Sequence, residues 1–198
     1  LLSFRKDMDL DSIRFEEPVN GYAPREDSWL LAKCIPPVPG KKCMDMGCGS
    51  GIQTAALLLK GAKSVTCVDK NPNALNTTGK MVEKYFPEAT IHYIESALFE
   101  HVKGRFDVIV FNPPYVPSDD IKWIETDGGK KGREIIDAFL EQLPHHLNPG
   151  GECLLLQTSL NGITTTQNKL QTLGLSGEIC NRKKISFEEL VVWRITKT

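Results

Sequence analysis

Short apolar runs alternate along this chain with longer segments in which apolar residues recur every three or four positions. The short runs predict β-strands at 41–46, 64–69, 89–94, 106–111, 152–157, 176–181 and 189–195. The longer segments predict helices at 52–60, 72–85 and 163–173, and a further helix that begins at 132. Apolar strands separated by helices are typical of a mostly parallel sheet that is covered on both faces. Right-handed crossovers bring the carboxyl ends of such strands to one edge of the sheet, where α/β folds bind ligands.

The composition fits one domain. The 198 residues are 40% hydrophobic and 25% charged, which suits a sizeable core, and no repeat or linker divides them. The net charge of −1 provides no broad positive field for a nucleic-acid backbone. Neither a long apolar stretch nor a secretory signal is present, so we expect no membrane insertion. The expected location is the cytoplasm, with the nucleus as the alternative.

Six cysteines lie at positions 34, 43, 48, 67, 153 and 180, several of them within apolar strand runs. They form no CxxC motif and have no histidine partner at zinc spacing, so we expect no metal site. A cysteine in such a strand behaves as a small hydrophobic residue. The pattern is typical of a reduced, intracellular protein rather than of a disulfide framework.

The segment Asn112-Pro113-Pro114-Tyr115 directly follows the apolar run 106–111. The prolines restrict the backbone, so the carbonyl oxygens of the Asn112 side chain and of Pro113 are predicted to point in set directions. Two such acceptors can hold both hydrogens of a planar NH2 group, as found on a glutamine amide or an adenine. The Tyr115 ring offers that group a flat surface. The alternative interpretation is a turn that ends the strand, since Asn and Pro favour turns.

A glycine-rich turn follows the first predicted strand. Asp45 precedes Gly47, Gly49 and Gly51, and a helix pattern starts at once. Alternate glycines allow a tight turn and a close approach of a ligand to the backbone. The spacing GxGxG is one residue short of the dinucleotide fingerprint GxGxxG. An acid at Asp45 suits a positively charged ligand better than a diphosphate, and the ammonium and sulfonium groups of S-adenosylmethionine fit that description.

Asp69 ends the second predicted strand. A carboxylate at this position can accept hydrogen bonds from both hydroxyls of a ribose, as in other nucleoside-binding α/β folds. The alternative is a turn or helix cap, because Asn71 and Pro72 follow as a predicted N-cap and first helical residue. Both interpretations can hold at once.

Together these motifs resemble class I S-adenosylmethionine-dependent methyltransferases. Within that class the chain is similar to the HemK/PrmC family of release factor glutamine methyltransferases, in their compact eukaryotic and archaeal (Mtq2 or HemK2) form. The resemblance is anchored in the segments 22–31, 45–51, 112–115 and 132–134, with Asp69 and Asp137. It implies a Rossmann-like, doubly wound, mostly parallel sheet of seven strands with an antiparallel C-terminal strand. Residues 22–198 would form the methyltransferase domain, and 1–21 an N-terminal extension.

The resemblance also implies roles for individual residues. The cofactor-binding residues would be Ser28, Asp45, Gly47, Gly49, Gly51, Asp69, Ser96 and Asn112. Asn112, Pro113 and Tyr115 would be catalytic, and the whole corner, with Pro114, would bind the substrate. The family usually places an acid after the third strand to accept the adenine amino group, but Ala97 stands there. Ser96 would serve through its hydroxyl or, alternatively, would bond only to its own backbone.

Three methyl acceptors stay open at this point. The first is the glutamine of a Gly-Gly-Gln loop in a peptide chain release factor. The second is adenine N6 or guanine N2 of a nucleic acid, for which the basic segment 128–133 offers either a phosphate contact or merely a lip over the site. The third is a protein lysine. A nonenzymatic scaffold that only binds the cofactor is a fourth interpretation.

The third predicted strand, 89–94, is expected at an edge of the sheet. It carries none of the lysines or prolines that usually protect an exposed edge. The family implies a small zinc-binding, Trm112-like activator that would cover this edge by adding a strand. The alternative is that a loop of the chain itself covers it.

Overall fold

The computed structural model describes residues 8–115 and 132–197. Of the basic segment 128–133, only Gly132 and Arg133 fall within these ranges. The strands are β1 (Lys42–Met46), β2 (Ser64–Asp69), β3 (Ile91–Glu95), β4 (Phe106–Phe111), β5 (Leu147–Thr158), β6 (Ser176–Lys184) and β7 (Glu189–Thr196). The helices are α1 (Glu26–Cys34), α2 (Ile52–Leu59), α3 (Pro72–Tyr85), α4 (Glu134–His146) and α5 (Ile163–Thr172).

The predicted strands and helices are confirmed, although β3 and α4 begin two residues later than predicted and β6 runs three residues further. Two differences are larger. Strand β5 begins at Leu147, five residues before the predicted start, because Leu147 pairs with Phe106 of β4 and the Gly150 amide donates to the Lys197 carbonyl just after β7. Helix α1 was not predicted from the hydrophobic pattern. It has no side-chain cap at its N-terminus, so it lacks the usual start signal.

The described strands form one sheet of seven strands in the order β3-β2-β1-β4-β5-β7-β6. Strands β1 to β5 pair in parallel, and β7 runs antiparallel to both β5 and β6. This confirms the predicted doubly wound sheet with an antiparallel C-terminal strand. The strand order reverses between β1 and β4, and that switch point is where open α/β sheets form a crevice at the carboxyl ends of their strands.

Alternation along the central strands places side chains in two apolar layers. Cys43 and Val108 pack beneath α1 and α2, whereas Met44 and Ile109 pack beneath α4 and α5. The sheet is therefore covered on both faces, as predicted. Ile13, which precedes the predicted domain, is buried in the first layer.

Helix α3 begins as predicted. The side chain of Asn71 accepts a hydrogen bond from the Asn73 amide at 3.0 Å, and Pro72 occupies the first turn. Within residues 8–115 and 132–197, no helix is both long and apolar enough to cross a membrane.

Candidate active site

A cavity of about 790 Å³ opens at the carboxyl edge of the sheet, at the switch point between β1 and β4. Its volume is in the range of sites for small molecules. Most of the predicted site residues line it: Ser28, Gly47, Gly49, Asp69, Ser96, Asn112, Pro113, Pro114 and Tyr115. The convergence of the glycine turn, the end of β2 and the 112–115 corner is thus observed. Asp45 and Gly51 lie outside this lining.

The glycine turn presents bare backbone to the cavity. Gly47 has a φ of +67°, and its amide donates to the Val68 carbonyl at 2.7 Å, which ties the turn to β2. Among the described residues, a Cβ on Gly49 would have one atom within 4 Å, the Gly47 oxygen at 3.8 Å, so space for a ligand remains beside the loop. Gly51 instead forms the N-cap of α2, with a φ of +85°.

Asp45 is fully buried behind the glycine turn, in contrast with the expected direct contact with a ligand. The alternation of side chains along β1 directs it toward α2, where Oδ2 accepts a 2.7 Å hydrogen bond from the Thr54 hydroxyl. Its Oδ1 has no partner among the described residues. Burial raises the pKa of this carboxyl to about 7, and the Thr54 hydrogen bond only partly opposes that shift. Its role toward a cofactor stays a prediction.

The Asp69 carboxylate accepts hydrogen bonds from nearby backbone amides and also lines the cavity. One carboxylate oxygen accepts from the Gly49 amide at 3.0 Å, and the other accepts from the Asn71 amide at 2.9 Å. Each oxygen keeps a second lone pair for a further donor. Burial raises the pKa of Asp69 against the opposing effect of these amides. The carboxylate can therefore brace the glycine turn and receive hydroxyl groups of a ligand together.

The loop after β3 uses the Ser96 hydroxyl for its own backbone. This hydroxyl donates to the Leu98 carbonyl at 2.9 Å and accepts from the His101 amide at 3.0 Å. Leu98 takes a φ of +52°, which is uncommon for a residue with a side chain. Ala97 and Leu98 both line the cavity beside Ser96. This geometry is the one expected under the alternative interpretation, in which the Ser96 hydroxyl bonds to its own backbone.

The side-chain amide of Asn112 is hydrogen-bonded through its nitrogen. Its Nδ2 donates to Asp27 Oδ2 at 3.2 Å and lies 3.4 Å from Ser28 Oγ. A carboxylate only accepts hydrogen bonds, so the nitrogen must face Asp27 and the amide orientation follows. The Oδ1 atom is buried and has no partner among the described residues. Since a buried acceptor without a donor costs free energy, this atom is suited to meet a donor from a ligand.

The hydrogen bonds of the corner meet at Asp27, to which the sequence analysis assigned no role. This side chain is only 3% exposed. It accepts from the Tyr115 hydroxyl at 3.0 Å, from the Tyr22 hydroxyl at 3.2 Å and from the Ser28 amide at 2.7 Å, in addition to Asn112. Burial, aided by the Asp27 charge, raises the pKa of both phenols, so Tyr22 and Tyr115 remain donors. The signal in the sequence is an acid directly before Ser28, within the segment 22–31 that anchors the family resemblance.

A second network holds the backbone at the end of the corner. Asn161 Nδ2 donates to the carbonyls of Tyr115 at 2.8 Å and Gly132 at 3.1 Å. Arg133 is buried, donates to the Asn161 carbonyl at 2.6 Å and forms a paired contact with Asp137 at 2.6 and 3.3 Å. Arg133 is therefore a structural cation beside the site, whereas the phosphate-contact and lip interpretations of the segment also concern 128–131, which lie outside the described residues.

Asn112 and Gln53 both place an unpartnered oxygen near this cavity within the part of the chain that is described. Gln53 donates through Nε2 to the Ser28 carbonyl at 2.9 Å. Sequence reasoning missed Gln53 because a glutamine in the first turn of an apolar helix gives no distinctive signal. Across the described ranges, no group of three or more His, Cys, Asp or Glu side chains is arranged to hold a metal ion.

Comparison with known proteins gives consistent matches. The family model for the methyltransferase small domain matches residues 26–185. A protein of Methanocaldococcus jannaschii, named as a protein N5-glutamine methyltransferase, is 41% identical over 197 residues, which cover 95% of this chain and 99% of that protein. Methyltransferase HEMK2 of Mus musculus is 30% identical over 192 residues, which cover 89% of this chain and 90% of that one.

A solved structure is similar across nearly the whole chain. It is described as the E. cuniculi Mtq2–Trm112 complex responsible for methylation of the translation termination factor eRF1. The match has a TM-score of 0.73 at 26% identity and covers 91% of this chain and 100% of the other.

Proposed function

Since the chain belongs to the methyltransferase small domain family, whose HemK2/Mtq2-like members are its relatives, we propose that it methylates a glutamine side chain on nitrogen. The methyl donor is S-adenosylmethionine, and the acceptor is the glutamine of the Gly-Gly-Gln motif in a peptide chain release factor. The named activity of the archaeal relative and the termination factor in the description of the E. cuniculi complex support this acceptor. Cytoplasmic location, where translation ends, belongs to the same proposal.

The observation that carries the proposal is the Oδ1 atom of Asn112, which has no partner among the described residues. It belongs to the cavity wall, while Asp27 holds the nitrogen of the same side chain. A primary amide brings two N–H donors in one plane. One of them would bond to Asn112 Oδ1, and the second would bond to the Pro113 carbonyl. The Tyr115 ring would then limit where the flat amide can lie.

The residues around the cavity suit the proposed cofactor. The carboxylate of Asp69 has lone pairs left for ribose hydroxyls, and the bare backbone of Gly47 and Gly49 permits close approach. Ser28 and Gln53 lie on the side of the cavity nearer to Asn112 and would contact the methionine part. When bound, the cofactor supplies an electrophilic methyl group on a sulfonium.

The chain's own contribution is orientation and charge stabilisation. An amide nitrogen is a poor nucleophile, because its lone pair is delocalised into the carbonyl group. Asn112 and Pro113 oxygens would stabilise the positive charge that develops on this nitrogen, and they would fix its direction of attack. A proton on this nitrogen becomes acidic only as the new bond forms, so no base has to act before attack.

A methyl-transfer assay tests the acceptor. The intact release factor should accept one methyl group per chain, and the same factor with the glutamine of its Gly-Gly-Gln motif changed to alanine should accept none. Duplex DNA, structured RNA and a lysine-containing protein without the motif serve as parallel substrates. Transfer to a base or to a lysine at a rate equal to that on the factor would overturn the proposed acceptor, and cofactor binding with no transfer to any of them would favour a scaffold.

A small zinc-binding, Trm112-like activator is proposed as the partner in a heterodimer. Among the described strands β3 lies at one end of the sheet, and Tyr93 on this strand is 44% exposed. The side chains of Ile91 and Ile94 are only partly buried. An incoming strand could pair with this edge, and the similarity to the Mtq2–Trm112 complex supports such an arrangement.

Co-purification with a Trm112-like protein tests the partner. Ile91→Lys should abolish the complex, because it places a charge in the proposed interface. Ser176→Lys introduces the same charge on exposed β6 at the opposite end of the sheet and should leave the complex intact. If the isolated chain stays monodisperse and the Ile91→Lys change affects neither binding nor activity, this partner is excluded from the β3 edge.

A further inference from the structure

Two cysteines far apart in the sequence meet on the surface away from the glycine turn. Cys34 is the last residue of α1, and Cys180 lies in β6. Both side chains are partly buried rather than enclosed, and both are free thiols. Both side chains pack against the same apolar layer, and the two thiols are close enough to influence each other's pKa. Each thiol donates to a backbone carbonyl, Cys34 to Leu30 at 3.2 Å and Cys180 to Val192 at 3.4 Å.

The surroundings of Cys34 favour its thiolate. The Asn181 side chain donates through Nδ2 to Cys34 Sγ at 3.5 Å, from the same strand as Cys180. Arg194 on β7 adds a positive charge near Cys34. Two ion pairs of Arg194, with Glu152 at 3.4 Å and with Glu178 at 3.6 Å, partly offset this charge. The neighbouring Cys180 thiol has the largest effect, and together these groups lower the pKa of Cys34 to about 7 despite partial burial. A thiol with these properties reacts readily near neutral pH.

Strand β6 is irregular where it meets α1. Its pairing with β7 shifts between Ile179 and Asn181, so Cys180 is the extra residue of a β-bulge. A bulged residue stands outside the regular ladder, and its side chain is redirected. Cys180 can therefore approach Cys34 without a break in the sheet's regular pairing.

The other four cysteines are buried. Cys48 and Cys67 also lie side by side, but both are buried. Neighbouring Cys67 and burial raise the pKa of Cys48 well above its ordinary value. Burial likewise raises the pKa of Cys153 and, to about 12, that of Cys43. The chain thus contains one thiol pair that is partly exposed, Cys34 with Cys180, and one that is buried, Cys48 with Cys67.

We propose that Cys34 and Cys180 form a redox-reactive dithiol, which a hydroperoxide converts to a disulfide between α1 and β6. In the first step the Cys34 thiolate attacks a peroxide oxygen. An S–O bond forms, the O–O bond breaks, and the leaving oxygen takes up a proton, which gives a sulfenic acid and water. In the second step the sulfur of Cys180 displaces the oxygen from Cys34, and a second water leaves. With hydrogen peroxide, two thiols and one peroxide yield one disulfide and two waters.

The experiment uses the full chain, treated with hydrogen peroxide at pH 7 and then blocked with an alkylating reagent. Peptide mapping should find a disulfide between residues 34 and 180, and a reductant should restore both thiols. Cys48 and Cys67 provide the internal control, because they should stay reduced at the same peroxide dose. In Cys180→Ser, residue 34 should advance to the sulfinic acid, since the second thiol is missing.

Alkylation rates as a function of pH give an independent readout. The rate at Cys34 should rise with a midpoint near 7. Asn181→Ala removes the Nδ2 donor to Cys34 Sγ, so it should move the midpoint upward. A midpoint at the ordinary thiol value in the unaltered chain, or peroxide products that lack the 34–180 disulfide, would overturn the proposal.

Discussion

Replacement of Asp27 by asparagine should slow methyl transfer more than it weakens cofactor binding. The Ser28 amide donates to Asp27 Oδ1 at 2.7 Å, and a backbone amide cannot turn away. The new side chain should therefore keep its oxygen on Ser28 and turn its nitrogen toward the donors at the Oδ2 position. At that position the new nitrogen would face Asn112 Nδ2, which lies 3.2 Å from the carboxylate oxygen in the unaltered chain. Two donors that face each other repel.

The size of the effect follows from the lost hydrogen bond. A hydrogen bond to a charged group contributes about 1.5–3 kcal/mol, and each 1.4 kcal/mol in a barrier is about a factor of ten in rate. If the orientation of Asn112 depends on this bond, kcat should fall about 10- to 100-fold. The cofactor dissociation constant should change by less than about threefold, because the glycine turn and Asp69 are untouched.

The assay measures steady-state methyl transfer to the release factor at saturating substrates, with cofactor affinity measured by calorimetry. Asp107→Asn is the matched control. Its carboxylate also accepts a backbone amide, from Lys42 at 2.8 Å, and a side-chain amide, from Asn148 at 2.7 Å, but it lies outside the cavity. This variant should lose stability without loss of kcat. A kcat of Asp27→Asn within threefold of the unaltered chain would refute the proposed orientation of Asn112.

Three further outcomes are expected. Asn112→Ala should abolish transfer while cofactor affinity stays within several-fold, and an equal loss of both would show that Asn112 supports the fold instead. Gly132→Ala should lower transfer at least about tenfold, because its Cβ would collide with the Tyr115 carbonyl at a φ of +64°, and small displacements in an active site are costly. Gly150→Ala has a similar φ of +70° with open space around it, so it should leave kcat unchanged, and equal activity of both variants would argue against this contact. Burial raises the folded-state pKa of Asp45 from 3.8 to about 7, so the folded state keeps a proton that the unfolded state releases in this range. The chain should therefore lose stability relative to Asp45→Asn as pH rises from 4 to 7, and denaturation curves that keep a constant offset would contradict the shift.

The elements of the sheet could be predicted because each depends on local pattern. Apolar runs such as 106–111 read as buried strands in any α/β protein, and Asn71 with Pro72 marks a helix start wherever it occurs. Helix α1 was not predicted, since no side chain caps its N-terminus. The local arguments also placed the glycine turn, Asp69 and Asn112 at one edge, because parallel strands linked by right-handed crossovers share that edge.

Contacts within the site depended on more than position along a strand. Asp45 and Gly51 belong to the glycine motif but lie outside the cavity lining, since alternation and helix capping direct them elsewhere. The sequence alone could not tell whether Ser96 faces a ligand or its own backbone. That choice follows from the left-handed conformation at Leu98, which brings the carbonyl of that residue to the hydroxyl.

The sequence by itself determined the strand and helix pattern, the doubly wound sheet and the edge of the sheet at which the cavity opens, because these follow from periodicity and from the handedness of the chain. The tertiary structure alone decided which polar atoms of the site are hydrogen-bonded and which have no partner among the described residues. Asp27 gathers donors from Tyr22, Asn112 and Tyr115, and two of these are more than eighty positions away in the chain. Hydrogen bonds over such separations form only when the sheet brings α1 and the end of β4 together. They leave the Asn112 oxygen unpartnered among the described residues, and no local pattern encodes that result.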